Sequence, residues 1–269
     1  MFDSHIHTKF SKDSNADGKE LCLAAQNIPL DGICFTDHCS LLTCVTDNAY
    51  RTVLNSSEYA KEQSAAFPSL TVTRGAEFSG VLYKADYFER ILKNIPLDCV
   101  LISVHRIFDG CMHHGLSHID FGALSMQRTE EIAHIYFNDL FKTLSSFDFD
   151  ICAHLTLPLR YINGVYHKGI SLVPFTKDIE RILGVIIDKK KALEINTSEL
   201  DRQLFDFMPS KDVLKLYRNM GGTLISTGSD AHLPENVGHG FLRAKALLKE
   251  FGFKSTVYYK ERKSIEISL

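Results

Sequence analysis

Short apolar runs recur along the chain, and segments whose apolar positions repeat at helical spacing separate them. The runs near 1–6, 32–36, 70–77, 98–104, 149–153, 192–195 and 223–227 predict seven strands. The segments 19–28, 86–93, 128–147, 177–190, 211–220 and 242–251 predict helices. In the fourth interval, Ile132, Ile135, Tyr136, Leu140 and Leu144 fall on one helical face. Thr176 and Ser210 stand where helix N-caps are expected, and Gly221-Gly222 where the penultimate helix should stop. A weaker strand at 256–259, with 264–268 extending it, ends the pattern.

Alternation sustained this long predicts a parallel sheet with helical crossovers. No Pro/Gly/Ser-rich linker interrupts it, so 1–269 reads as a single domain. The stretches 39–68 and 106–127 are longer than ordinary βα connections, and such insertions commonly cover an active site.

The candidate chemistry falls where strands end. The first strand finishes in Asp3-Ser4-His5-Ile6-His7, the second in Phe35-Thr36-Asp37-His38, the third in Gly75-Ala76-Glu77 and the fourth in Ser103-Val104-His105. The fifth finishes in Cys152-Ala153-His154 and the seventh in Ser229-Asp230-Ala231-His232. A lone histidine at a strand end is usually a surface or packed residue, but repetition at strand after strand is a constellation. A barrel, or a sheet curved nearly into one, brings so many ends to a common centre. Residues i and i+2 of a strand face the same side, so His5 and His7 can hold one ion together. Imidazoles suit zinc, iron or manganese, and a lone central carboxylate, Glu77, is the natural bridge between ions. His113, His114, His118, His134, His167 and His239 end no predicted strand and are set aside.

Composition narrows the alternatives. A 45% hydrophobic and 23% charged chain is ordinary for a globular protein, and a net charge of -3 points to no polyanion-binding surface. The Lys189-Lys190-Lys191 run closes a predicted helix, where cations oppose the helix dipole. The seven cysteines include no C-x-x-C pair and several sit in apolar runs, so they read as reduced and buried, which suits the cytoplasm. Two histidines within the first seven residues leave no room for a signal peptide, and no apolar run approaches a membrane span.

The motifs His5-x-His7, Phe35-Thr36-Asp37-His38, Gly75-Ala76-Glu77, Ser103-Val104-His105 and Gly228-Ser229-Asp230-Ala231-His232 resemble, in order, those of the polymerase and histidinol phosphatase (PHP) family. Ala192-Leu193-Glu194-Ile195-Asn196-Thr197-Ser198 and the chain length resemble its stand-alone histidinol-phosphate phosphatases. The resemblance implies a distorted seven-stranded (β/α)7 barrel, like a TIM barrel, and three divalent transition-metal ions (Zn, Mn or Fe) per chain. Carried over by position, the first ion takes His5, His7, Glu77 and Asp230, the second Glu77, His105 and His154, the third Asp13, His38 and His232. Many relatives have His where this chain has Asp13, and the phosphatases often have Gly where it has Glu199.

The implied reaction is hydrolysis of L-histidinol phosphate to L-histidinol and phosphate, a step of histidine biosynthesis. A water activated by the metals attacks phosphorus in line. Arg160, Asp13 and His38 are the candidate catalytic residues. Arg160 follows His154 in a segment where the family's phosphatases tend to carry a basic residue, and a guanidinium can grip two phosphate oxygens. Competing readings are a phosphatase acting on phosphotyrosine peptides or nucleotides, a nuclease, and a barrel that binds without turnover. A nuclease predicts a basic groove with interleaved aromatics, which a pI near 6.5 and the absence of Trp disfavour. The expected partner is a small phosphomonoester, with no nucleic acid and no membrane. The sequence leaves the oligomeric state open.

Overall fold

The computed structural model describes residues 1–43, 46–110 and 113–269, so Cys44 and Cys111 lie outside the described residues. Seven parallel strands form the sheet: β1 (Phe2–Ile6), β2 (Gly32–Phe35), β3 (Thr71–Ser79), β4 (Cys99–Ser103), β5 (Ile151–Cys152), β6 (Ala192–Asn196) and β7 (Ile225–Gly228). They neighbour one another in sequence order, and a short strand at His38–Ser40 pairs with the end of β3. All but β3 are buried along their whole length, as expected for strands covered on both faces.

β7 returns beside β1. The parallel bridge Ile6–Ala231, His7 N–H to Ala231 O (2.9 Å) and Asp230 N–H to His5 O (2.8 Å) draw the two edges together. The barrel is nearly closed, yet irregular. The register of β1 on β2 slips between Asp3 and Ile6, and the Thr36 hydroxyl accepts the Ile6 N–H there at 3.0 Å. This is the distorted (β/α)7 barrel that the family resemblance implies, and the curved sheet that the strand-end pattern predicts.

Helices α1 (Gly18–Gln26), α2 (Thr46–Ala66), α3 (Ala85–Asn94), α4 (Met126–Ser146), α5 (Thr176–Asp188), α6 (Lys211–Asn219) and α7 (Phe241–Glu250) connect the strands or follow the last of them. Asp17 caps α1 by accepting Lys19 N–H, and Ser125 caps α4 by accepting Arg128 N–H. On α5, Ile179, Ile182, Leu183 and Ile186 repeat at helical spacing and are buried in the main core.

Several expectations need correction. The stretch 39–68 is mostly helix, because α2 crosses between β2 and β3. The stretch 106–127 opens with a hairpin of Arg106–Phe108 and His113–Gly115, so His113 and His114 do lie in a strand. Phe175, not Thr176, precedes α5, whereas Ser210 does occupy the N-cap of α6 without a side-chain cap bond. Gly221, at φ 94, ends α6 in the left-handed region. Lys189 serves a neighbouring helix as well as its own: its ammonium donates to the carbonyls of Leu144, Ser145 and Phe147 at the end of α4. Cysteines 22, 34, 39, 99 and 152 are buried. No described helix is long and apolar enough to cross a membrane.

The chain finishes in an antiparallel hairpin, β8 (Ser255–Lys260) and β9 (Lys263–Ser268). Val257 and Tyr259 enter a cluster with Phe2, Cys34, Cys99, Leu101, Ile151 and Ala192 from the barrel strands. The hairpin therefore plugs one mouth of the barrel. The other mouth carries the candidate chemistry.

Candidate metal centre

The nine residues singled out in the sequence come together at the C-terminal ends of the strands. Nε2 of His5 and of His7 lie 3.7 and 3.1 Å from Asp230 Oδ1, and 3.7 and 3.9 Å from Glu77 Oε2. Glu77 is the hub. Its Oε1 is 2.9 Å from His154 Nε2 and 3.2 Å from His105 Nε2, while Oε2 also meets His38 Nδ1. Asp13 stands at the rim, half-exposed, 3.3 Å from His38 Nε2 and 3.6 Å from His232 Nε2.

Four overlapping triads have ligand atoms within 4.8 Å of one another: His5–His7–Glu77, His38–Glu77–His105, His5–His154–Asp230 and His7–His38–His232. The first falls within the first ligand set implied by resemblance. The others share residues across the sets, so proximity alone does not divide the nine ligands among ions.

A test of whether metals suit these residues lies in unmet polar atoms. His5 Nε2, His7 Nε2, His38 Nδ1 and Glu77 Oε2 are buried and form no hydrogen bond of good geometry, and what they meet is one another and Asp230. Such atoms are costly to bury unpaired, and all four turn toward the same space. A donor set of imidazoles and carboxylates, with lone pairs converging, fits divalent transition metals.

Other residues hold these ligands in place. Glu194 Oε1 is 2.7 Å from His5 Nδ1, and Glu194 Oε2 accepts the His154 N–H at 2.6 Å. An ionised Glu194 accepts from Nδ1–H and leaves the His5 Nε2 lone pair for a metal. Gly228 makes room for this arrangement, since a Cβ there would sit 2.1 Å from Glu194 Oε1 and 2.6 Å from His5 Cβ. Ser11 Oγ is 3.1 Å from His7 Nδ1, donates to Asp37 Oδ1 at 2.7 Å and accepts the His38 N–H at 3.0 Å. Asp37 also accepts from Thr8 and Ser56. His154 (φ 25) and Asp230 (φ 54) hold left-handed backbone conformations, a strain found where surrounding structure over-determines a functional side chain.

The electrostatics divide the histidines: nearby carboxylates outweigh burial and raise His5, His38 (to about 10) and His232, favouring their protonated forms, whereas His7 and His105 are lowered. Burial favours a neutral Glu77, but the charges of His105, His38 and His5 outweigh it and hold the carboxyl well below its ordinary range. For Asp230 burial is likewise outweighed, by His5, His7 and Arg160. Burial, reinforced by His38, pushes His7 well below the usual imidazole value, and burial also lowers His105. Neutral imidazole is the metal-binding form.

Arg160, two turns of chain beyond His154, reaches back to this centre. Its Nη2 donates to Ser198 Oγ at 2.8 Å and to Asp230 Oδ2 at 3.3 Å, and Nε lies 3.0 Å from Glu199 Oε1. Burial disfavours its charge, but Asp230 and Glu199 raise its pKa above the ordinary value. A cavity of about 460 Å³ opens over the ligands, with Ser40, Thr43, Arg106, Ser117 and His118 on its walls. The stretches expected to overhang the site therefore do so, and His118, set aside in the sequence, faces this cavity. Strand-end reasoning missed Glu194 and Asp37. The signal for Glu194 was a lone carboxylate inside the apolar strand Ala192-Leu193-Glu194-Ile195.

A cluster of histidines and carboxylates over the open end of a parallel barrel is the architecture of a metal-centred barrel protein. The PHP domain matches residues 3–198, and the chain belongs to that family. Over its whole length it is 28% identical to a histidinol-phosphatase of Lactococcus lactis, covering 98% of both chains. It is 27% identical to a probable histidinol-phosphatase of Clostridium acetobutylicum, covering 97% of both. The fold matches the crystal structure of a Lactococcus lactis histidinol phosphate phosphatase complexed with zinc, L-histidinol and phosphate. That match has a TM-score of 0.82 and 23% identity, over 98% of each chain.

Proposed function

We propose that this chain is a single-domain, metal-dependent phosphomonoesterase that hydrolyses L-histidinol phosphate to L-histidinol and phosphate. The observation that carries the reading is the set of buried ligand atoms that converge around Glu77. End-to-end similarity to histidinol-phosphatases supports the substrate, and through it a role in histidine biosynthesis.

The proposed ligands are His5, His7, Asp13, His38, Glu77, His105, His154, Asp230 and His232, holding three ions of zinc, manganese or iron. Bound ions supply a nucleophile at neutral pH and neutralise charge on the phosphoryl oxygens. The protein's part is positioning. Glu77, at the hub, would be shared between ions and would offset their repulsion. Glu194 and Ser11 fix the rings of His5 and His7 so that Nε2 faces inward. Arg160, protonated between Asp230 and Glu199, orients the phosphoryl group and steadies its charge as the bond to the alcohol breaks. Asp13 and His38, paired at the rim, would hold the ion that offsets charge on the leaving oxygen.

The test is direct. The purified protein, reconstituted with zinc or manganese, should carry more than one metal per chain by elemental analysis. It should release phosphate from L-histidinol phosphate in preference to a phosphotyrosine peptide, a nucleotide or an oligonucleotide. At most one metal after reconstitution would sink the multinuclear reading, and preference for another member of the panel would reassign the substrate.

A further inference from the structure

Asp37 is buried beside the ligand candidate His38, and its carboxylate accepts four hydrogen bonds. Oδ1 takes Thr8 N–H and the Ser11 hydroxyl, each at 2.7 Å. Oδ2 takes the hydroxyls of Thr8 at 2.7 Å and Ser56 at 2.6 Å. Ser56 belongs to α2, so a crossover helix reaches the centre through this carboxylate.

The placement of protons around Ser11 follows from its neighbours. A carboxylate only accepts, and the His38 N–H, 3.0 Å from Ser11 Oγ, only donates. Ser11 has one proton to give, and the charged acceptor at 2.7 Å takes it. What remains on Oγ is a lone pair facing His7 Nδ1 at 3.1 Å. Neutral His7 therefore carries its proton on Nδ1, and its Nε2 lone pair turns toward Asp230 and Glu77. His5 needs no such relay, because Glu194 Oε1 meets its Nδ1 directly at 2.7 Å.

We propose that Asp37 is a positioning residue for metal binding, acting through Ser11 to fix His7 in the tautomer whose Nε2 can hold an ion. The inference rests on the metal-centred reading above. Thr8 and Ser56 fill the other acceptor positions of Asp37, so the carboxylate is held facing Ser11. Without that carboxylate, the Ser11 hydroxyl is free to donate to His7 Nδ1 instead. The ring proton then sits on Nε2 and blocks the metal.

The experiment uses zinc-loaded, isotope-labelled wild-type protein, Ser11→Ala and Asp37→Asn. Nuclear magnetic resonance reads the Nδ1–H protons of His5 and His7, and competition with a chromophoric chelator reads zinc affinity. In Ser11→Ala the His7 proton should be lost to exchange with water. In Asp37→Asn it should move upfield, because its acceptor is less polarised. Zinc affinity should fall about 10- to 100-fold in both variants. The His5 proton, held by Glu194, should keep its position throughout. A zinc-binding wild type whose His7 proton and affinity neither variant moves overturns the relay and leaves the metal centre standing. A His5 proton that moves as far as that of His7 also overturns it, because the site has then loosened as a whole. A wild type that takes up no zinc overturns the metal-centred reading itself.

Discussion

The two mouths of the barrel are built on opposite principles. At the N-terminal mouth the final hairpin drives Val257 and Tyr259 into the interior, and Tyr258 stacks on Phe2 at 4.2 Å. Two buried carboxylates there are held by the chain's own cations and amides, although Asp150 Oδ1 and the Tyr259 hydroxyl form no hydrogen bond. Asp98 accepts from Arg74 N and Nε and from Glu261 N, while Asp150 takes Val100 N–H, Arg262 and, at 3.5 Å, Lys191. At the C-terminal mouth, four atoms of His5, His7, His38 and Glu77 are buried without a well-formed hydrogen bond and crowd against one another and Asp230. One end is arranged for cohesion, and the other holds polar groups ready for something that the protein alone does not provide. Concentrating unmet charge at one end is tolerable because the other end anchors the same strands.

The contrast can be broken most sharply at Glu77. Glu77→Gln should lower turnover roughly 1,000-fold or more, because one substitution removes a ligand shared between ions. Metal content should fall with it. A variant that retains both metal and turnover would remove Glu77 from the hub. Next in size is Arg160→Met, expected to reduce kcat/KM about 100-fold, or about 3 kcal/mol of transition-state stabilisation. Metal content and Tm should stay near the parent values, and wild-type kinetics would return Arg160 to a purely structural role. The smallest effect belongs to the opposite mouth. Arg262→Ala leaves Asp150 with fewer partners and should cost about 2 kcal/mol of stability, a drop of several degrees in Tm. Its metal content and kcat/KM should match the parent. A large catalytic loss in Arg262→Ala would show that the two ends are not independent.

How far the sequence could be read depended on which signal each element left. The strands and six of the helices were legible because apolar residues mark them at a regular period, and all but Asp13 of the candidate cluster because those residues lie at or just past strand ends. α2 was hidden. Its buried positions are Ala49, Val53, Ser56, Ser57 and Ala60, a helical face made of small and polar residues that apolar periodicity does not register. The hairpin at Arg106–Phe108 and His113–Gly115 was too short to leave a pattern. Glu194 lies within a strand, where attention to strand ends overlooks it, and Asp37 serves hydroxyl groups that only folding assembles. The distribution of ligands among ions was not legible either, since the overlapping triads around Glu77 depend on distances of a few tenths of an ångström.

The seam between β7 and β1 sets an order of events during synthesis on the ribosome. His5 and His7 emerge long before Asp230 and His232, which lie beside them across the seam. Before β7 is made, the early histidines have only part of their binding partners, so a nascent chain can offer a metal at most an incomplete grip. In the proposed centre full affinity would arrive with barrel closure, and the ions would then clasp the first strand to the last. Metal capture would in this sense be a checkpoint on closure, because a chain that lacks β7 lacks the clasp as well.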